Sequence, residues 1–354
     1  MRVAVVSERT AHHAETSATT RTARLASALA DRDHDVTVFC SQWWDDGEVT
    51  TTDEATGVAY RAVTHHPSAP DLRFAARLPG VVSGFDPDVI HAAHEPHPIV
   101  LGAGTAARLS RAPLVVDWYE GDPGSGRGGR TRRLAARRPD RVIAPSRLVE
   151  TELRELAVPA DGITRIPDAI DMDAIRETDP EPVADIVYAR RLDGEAGLES
   201  LLLALAELRQ FDWSLVVVGD GPERRAGERR AAEFRIDDRV SFLGDRSPGD
   251  RIAIMKGARV AVHTAHRTPF PREFLRALAC GCVGIAVYRA ASSAHELIET
   301  HPRGIRVSSD DRLADAIRRA AGMDHRTVDS SFAPFDEDAI LDRYLACYRE
   351  ARSG

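Results

Sequence analysis

The chain has 354 residues, 43% of them hydrophobic and 29% charged, with a formal net charge of −8. That length exceeds one ordinary core, so two domains are expected. The apolar runs fall far short of the ~20 residues a spanning helix needs, and the acidic excess argues against a general nucleic-acid binder.

The N-terminus enters a strand at once, Arg2–Val6, without the basic flank, apolar core and cleavage site of a secretory leader, so a cytoplasmic location is expected. The first half then alternates: a helix near Ser17–Ala30, strands Asp35–Phe39, Val58–Val63 and Asp88–Ala92, a helix near Ile99–Ser110, and strand Leu114–Asp117. Strand Arg141–Ala144, a helix near Ser146–Leu156 and strand Ile163–Ile166 complete it. Arg176 to Pro182 is polar with two prolines, which predicts a linker. The second half restarts with strand Asp185–Ala189, helix Gly197–Leu208, strand Ser214–Gly219, helix Glu223–Phe234 and strand Val240–Leu243. Strand Ala258–His263, a helix from Arg272, strands Val283–Val287 and Gly304–Val307, and helix Asp311–Ala321 follow. Asp336 to Arg352 is amphipathic, with Ile340, Leu341, Tyr344, Leu345 and Tyr348 on one face. Each half has the grammar of a doubly wound parallel sheet, and two such sheets leave a cleft that suits a small molecule. At the carboxyl ends of parallel strands, helix N-termini favour a phosphate or diphosphate.

Several motifs carry weak chemistry. Gly102-Ala-Gly104-Thr-Ala-Ala107 matches a dinucleotide fingerprint, but the better strand lies earlier and leaves these glycines inside a helix. Asp86-Pro-Asp88, Asp171-Met-Asp173 and Asp336-Glu-Asp338 suit turns and helix caps better than a metal. His91, His94, Glu95 and His97 suit a cleft-lining loop better than a metal site, because prolines break helical spacing. The four cysteines are scattered, and Cys280-Gly-Cys282 has no companion pair at zinc spacing. Gly121 to Arg141 combines glycines with seven arginines: a loop leading into a solvated helix, or a patch for anionic lipid head groups along Arg127–Arg141. Lys256 is the only lysine, a bias that a salt-rich habitat or a GC-rich genome would both produce.

Ordered motifs along nearly the whole chain resemble the retaining glycosyltransferases of the GT-B fold, glycosyltransferase family four. Asp140-Arg-Val-Ile-Ala-Pro-Ser146 and Arg165-Ile-Pro-Asp-Ala-Ile-Asp171 are similar to family motifs of the first domain, the latter with Asp168 in place of the usual Asn. Tyr188–Leu192, Val218-Gly-Asp-Gly-Pro-Glu223, Val240–Gly244 and Leu275–Gly281 are similar to motifs of the second.

The resemblance implies an α/β architecture of two doubly wound, Rossmann-like parallel-sheet domains facing a cleft: 1–175 for the acceptor, 183–335 for a nucleotide-sugar, and 336–354 crossing back to the first domain. It implies glycosyl transfer with retention from a nucleoside-diphosphate sugar, without a metal, to a lipid-linked, glycan or surface-polymer acceptor. Arg191 takes the place of the diphosphate arginine. Gly219, Asp220, Gly221, Phe242, Leu243 and Gly244 would pack on the base, and Thr268 and Phe270 belong to the donor loop. The motif's lysine falls at Ala196, its two acids at Thr268 and Arg276, and Glu273 is the substitute acid. Tyr119 holds the position of the acceptor-side histidine, near His94, Glu95 and Glu120. Glu8 to Thr16 stands where a glycine pair is usual. These departures leave open a changed substrate preference, or a reduced protein that only binds the sugar-nucleotide or a partner. A sugar-nucleotide epimerase on the same fold is a further alternative.

Overall fold

Continuous β-branched runs, buried on both faces, are what a helix-covered parallel sheet requires. The computed structural model describes residues 1–45, 47–66, 72–119 and 129–353, and it divides into two units, Met1–Asp168 with Asp338–Gly354, and Ala169–Glu337.

Unit 1 contains β1 (Arg2–Val6), α1 (Ser17–Asp31), β2 (Asp35–Ser41), β3 (Thr50–Thr52), β4 (Ala59–Thr64), α2 (Leu72–Ser83), β5 (Val89–Ala93) and α3 (His97–Ser110). It continues with β6 (Leu114–Asp117), α4 (Gly129–Ala136), β7 (Arg141–Ala144), α5 (Arg147–Glu155), β8 (Ile163–Arg165) and the C-terminal helix Glu337–Ser353. The sheet order is β3-β4-β2-β1-β5-β6-β7-β8, with only β3 antiparallel. Helix α1 is capped by Thr16, whose side chain accepts from the Thr19 amide while the Thr19 side chain returns to Thr16. The glycine pair of the apparent fingerprint lies inside α3. There it serves packing: a Cβ on Gly102 would stand 2.4 Å from the Ala75 carbonyl oxygen of α2.

Unit 2 opens with α6 (Met172–Glu177), capped by Asp171. The predicted linker therefore begins inside a helix, and the chain passes between units earlier, at Asp168–Ala169. Lysine Lys256 is buried and donates from Nζ to the Ile175 carbonyl at 2.7 Å, fastening α6 to the unit. The alternation is β9 (Ile186–Ala189), α7 (Leu198–Glu207), β10 (Leu215–Val218), α8 (Arg224–Glu233), β11 (Val240–Gly244), α9 (Pro248–Gly257) and β12 (Val260–His263). Then come β13 (Arg267–Thr268), α10 (Arg272–Ala279), β14 (Val283–Val287), β15 (Ala291–Ser292), β16 (Gly304–Val307) and α11 (Leu313–Ala321). The six-stranded sheet is wholly parallel, ordered β11-β10-β9-β12-β14-β16, with its order reversing beside β9. Ligands in such sheets sit outside the carboxyl ends of the strands at that reversal. No helix among the described residues is long and apolar enough to cross a membrane.

Candidate active site

The carboxyl ends of β9, β10 and β11 are welded together by backbone. Arg190 N donates to the Val218 carbonyl at 3.1 Å, Leu192 N to Asp220 at 2.9 Å, and Gly219 N to Gly244 at 2.9 Å. Gly219 sits at φ 119°, where a Cβ would lie 2.2 Å from the Arg190 carbonyl oxygen, and Gly221 is equally close to Leu192. The Gly-Asp-Gly-Pro turn is thus built for the approach of two loops. Asp220 accepts from the Gly221 amide and pairs with Arg224 Nη1 at 3.2 Å. Arg224 also donates to the Phe242 carbonyl, so this one arginine ties the β10 turn to β11, beside Leu243.

The two arginines after β9 behave differently. Arg190 is spent within the protein, reaching Asp193 at 3.2 Å and the Thr268 hydroxyl at 3.4 Å. Arg191 is exposed, and its guanidinium has no partner among the described residues. A few residues on, Ala196 is 3% exposed and its carbonyl accepts from the Tyr188 hydroxyl. Gly197 then caps α7 in a left-handed conformation with no side-chain cap. Beside this segment and the start of α8 lies a cavity of about 500 Å³, lined in part by Asp193, Ala196, Gly197, Glu223 and His266.

Strand β12, next to β9, ends at His263, which is buried with an unpartnered Nε2. Burial, reinforced by the charge of Arg190, pushes its imidazole down to about 3, so it is neutral. The chain then passes Thr268 and the buried Phe270 into α10, whose N-terminus has no side-chain cap. In its first turn Glu273 faces three cations: Arg276, Arg251 at 3.6 Å and Arg272 at 3.9 Å. Burial alone would raise the Glu273 carboxyl, but the combined guanidinium charges hold it below its ordinary value. Three cations against Glu273 and the exposed Asp245, 3.9 Å from Arg251, still leave this helix end electropositive, which adds to its dipole.

In unit 1 the Tyr119 position leads to a buried network. Arg21, 5% exposed, donates from Nε to Asp117 at 2.7 Å, from Nη1 to Asp168 at 3.1 Å and from Nη2 to the Ile166 carbonyl at 2.7 Å. Asp168 also receives Arg24 Nη2 at 2.9 Å and the Tyr119 hydroxyl at 2.6 Å. Tyr344 of the C-terminal helix donates to Asp117 at 2.8 Å. Burial, with Asp168 adding to it, drives the Tyr119 phenol well above its ordinary value, so Tyr119 acts here as a neutral donor to Asp168.

Of the four residues of the histidine cluster, His94, Glu95 and His97 stay together, with His94 Nε2 3.7 Å from Glu95 and the His94 and His97 rings 6.1 Å apart, while His91 lies elsewhere. His91 meets the Tyr348 hydroxyl at 3.0 Å, whereas the His94 and His97 rings lie against Trp118. Among the described residues no group of three His, Cys, Asp or Glu side chains is placed to hold a metal. Glu120 and Arg127 lie outside the described residues.

Sequence reasoning did not single out Arg21 or His263, and it offered Asp117 only as the ribose acid of a dinucleotide fingerprint, whereas the structure pairs it with Arg21 and Tyr344. For Arg21 the signal was a charge on the same helical face as Leu25 and Leu29, both buried. For His263 it was the last position of an apolar strand.

Residues 18–174 match the family Glycosyltransferase Family 4, and residues 172–325 match Glycosyl transferases group 1. The chain is 28% identical over 298 residues to the glycogen synthase of Mycobacterium tuberculosis, covering 73% of this chain and 70% of that one. It is 29% identical over 231 residues to a GDP-mannose-dependent alpha-mannosyltransferase of Mycolicibacterium smegmatis, covering 59% of this chain and 58% of that one. The solved structure of Anabaena Alr3699/HepE in complex with UDP-glucose superposes with a TM-score of 0.77 at 19% identity, over 99% of this chain and 100% of that one. With two Rossmann-like parallel-sheet units, each matched by its own half of the family signature, the chain belongs to the GT-B glycosyltransferases of family 4.

Proposed function

We propose that the protein transfers a glycosyl group, with retention of configuration, from a nucleoside-diphosphate sugar held by unit 2 to an acceptor presented by unit 1. The observation that carries this is the unpartnered guanidinium of Arg191 at the carboxyl end of β9. Its neighbour strand β12 leads to the uncapped, electropositive start of α10. Arg191 and the amides near Gly197 and Arg272 take up charge as the diphosphate leaves, each such preorganised donor lowering the barrier by about 3 kcal/mol. Glu273 is the acid for the ribose or sugar hydroxyls, and the base packs near Gly219–Gly221 and Phe242–Gly244. Thr268 and Phe270 complete the donor loop, and Tyr119 with His94 and Glu95 faces the acceptor. No metal takes part. Relatives named for glycogen synthesis and GDP-mannose-dependent transfer, and a fold neighbour holding UDP-glucose, support a nucleotide-sugar donor. A lipid-linked, glycan or surface-polymer acceptor and a peripheral membrane contact fit α4, where Arg130, Arg133 and Leu134 are all exposed.

A second reading, binding of the sugar-nucleotide without turnover, is favoured by two features. Ala196 is buried where the family motif has a lysine, and Arg276 fills an acid position and is committed to Glu273. Incubation with UDP- and GDP-sugars, with and without membrane extract, separates the two. Acceptor-dependent nucleotide release supports transfer. Binding without release supports the second reading, and an isomerised, still-linked sugar indicates an epimerase. Arg191→Ala should weaken nucleotide-diphosphate affinity or abolish turnover; unchanged affinity and rate would refute its role.

A further inference from the structure

The far end of the unit 1 sheet holds a cavity of about 460 Å³ that the proposed reaction does not use. It opens where β6 begins, at Leu114, whereas Asp117 and the Arg21 network lie at the other end of the same strand. Its charged lining is Arg108, Arg111, Arg138 and Arg352 against a single carboxylate, Asp140. Four guanidiniums and one acid leave a formal excess of three positive charges, on a chain whose net charge is −8.

Structural duties account for only part of that charge. Arg352 pairs with Asp88 at 2.9 Å. Arg138 donates from Nη2 to the Gly104 carbonyl at 2.8 Å, and its side chain fills the space a Cβ on Gly104 would take. Asp140 accepts from the Leu114 amide at 2.8 Å. Near the end of α3, Ser110 Oγ donates to the Ala106 carbonyl at 2.9 Å, and the Arg111 and Ala112 amides donate to that of Ala107. Arg108 and Arg111 are left over. Both are exposed and neither has a carboxylate partner among the described residues; both sit at the C-terminal end of α3, whose dipole favours a cation without consuming its hydrogen-bond donors. Two guanidiniums without carboxylates, beside a third in one concave site, make a local positive field that an anion would complement. Planar forks of this kind suit the tetrahedral oxygens of a phosphate.

We propose that this cavity binds the phosphate or diphosphate group of a ligand, on Arg108 and Arg111 with Arg138 as the floor. It is separate from the donor site assigned to unit 2 and does not depend on that assignment. The group belongs either to a soluble phosphorylated metabolite or to a lipid head group.

The test is titration calorimetry of inorganic pyrophosphate into the full chain carrying Arg191→Ala, which removes the main diphosphate contact proposed for unit 2. Amide hydrogen exchange with and without pyrophosphate then locates the binding. Arg108→Ala with Arg111→Ala changes two exposed side chains and should weaken binding at least tenfold. Arg229→Ala, exposed in unit 2, should leave it unchanged. Protection is expected in residues 108–114 and 349–353. Vesicles carrying phosphatidylinositol 4-phosphate, against neutral phosphatidylcholine vesicles, form the second arm. Capture there, lost in the double variant and without response to soluble pyrophosphate, assigns the group to a lipid. Absence of binding in both arms, equal affinity in the double variant, or protection confined to unit 2 overturns the proposal.

Discussion

Replacing Arg21 by methionine keeps much of the side-chain volume and removes one buried cation. Three hydrogen bonds are lost, but the damage is uneven. Asp168 retains Arg24 at 2.9 Å and the Tyr119 hydroxyl at 2.6 Å. Asp117 retains only the Tyr344 hydroxyl on Oδ2, and its Oδ1 already lacks a partner. Removing one partner of a buried pair costs about 3–5 kcal/mol, mostly through the charge left behind. Set against a domain stability of about 5–15 kcal/mol, Arg21→Met should remove a large part of the stability of unit 1. Three of the four tryptophans, Trp43, Trp44 and Trp118, lie in unit 1, so urea unfolding followed by indole fluorescence reports mainly on that unit. The double variant Arg21→Met with Asp117→Asn removes the stranded charge and should recover about half of the loss. A loss below about 1 kcal/mol, or a double variant no more stable than the single one, would refute this account.

Three further outcomes follow from the geometry. Gly219→Ala places a Cβ 2.2 Å from the Arg190 carbonyl at a left-handed φ, so unit 2 should lose about 2 kcal/mol or more and nucleotide affinity should fall as the Arg190–Leu192 turn shifts; unfolding and nucleotide titration check both. Glu273 has a folded pKa below its ordinary 4.5, so the stability it contributes is present above that value and lost as the pH drops through the folded one; the gap between wild type and Glu273→Gln should be full at neutral pH and close on acidification, as pH-dependent denaturation will show. All four cysteines are buried, with burial pushing Cys40 and Cys280 up to about 12, so a thiol reagent near pH 8 should label none in the native protein and four in urea.

The fold was legible where sequence and burial share a period. Strands such as Leu215–Val218 and Val283–Val287 are short, continuous apolar runs because helices cover both faces of their sheet. Helix α2 was not legible, since Pro79 and Gly80 signal a break, although Phe74, Leu78 and Val82 form its buried face. Helix α9 and the short strand β3 were also missed. At the site, the loops after β9 and β10 could be placed because their glycines and arginines are contiguous. The Arg21 network could not. It joins residues 96, 147 and 227 positions apart, and a local pattern carries no trace of such a convergence. Which of the two arginines after β9 is available was equally hidden, because Arg190 is consumed by Thr268, far along the chain.

The C-terminal helix gives the molecule an order of assembly. Asp117 and His91 belong to strands made early, yet their partners Tyr344 and Tyr348 come off the ribosome only after all of unit 2. During synthesis the first sheet waits with a buried-type carboxylate and histidine still wet, and it is sealed only once Tyr344 and Tyr348 have been made. Nonsense and frameshift lesions near codon 340 should therefore disable the half of the protein that was built first.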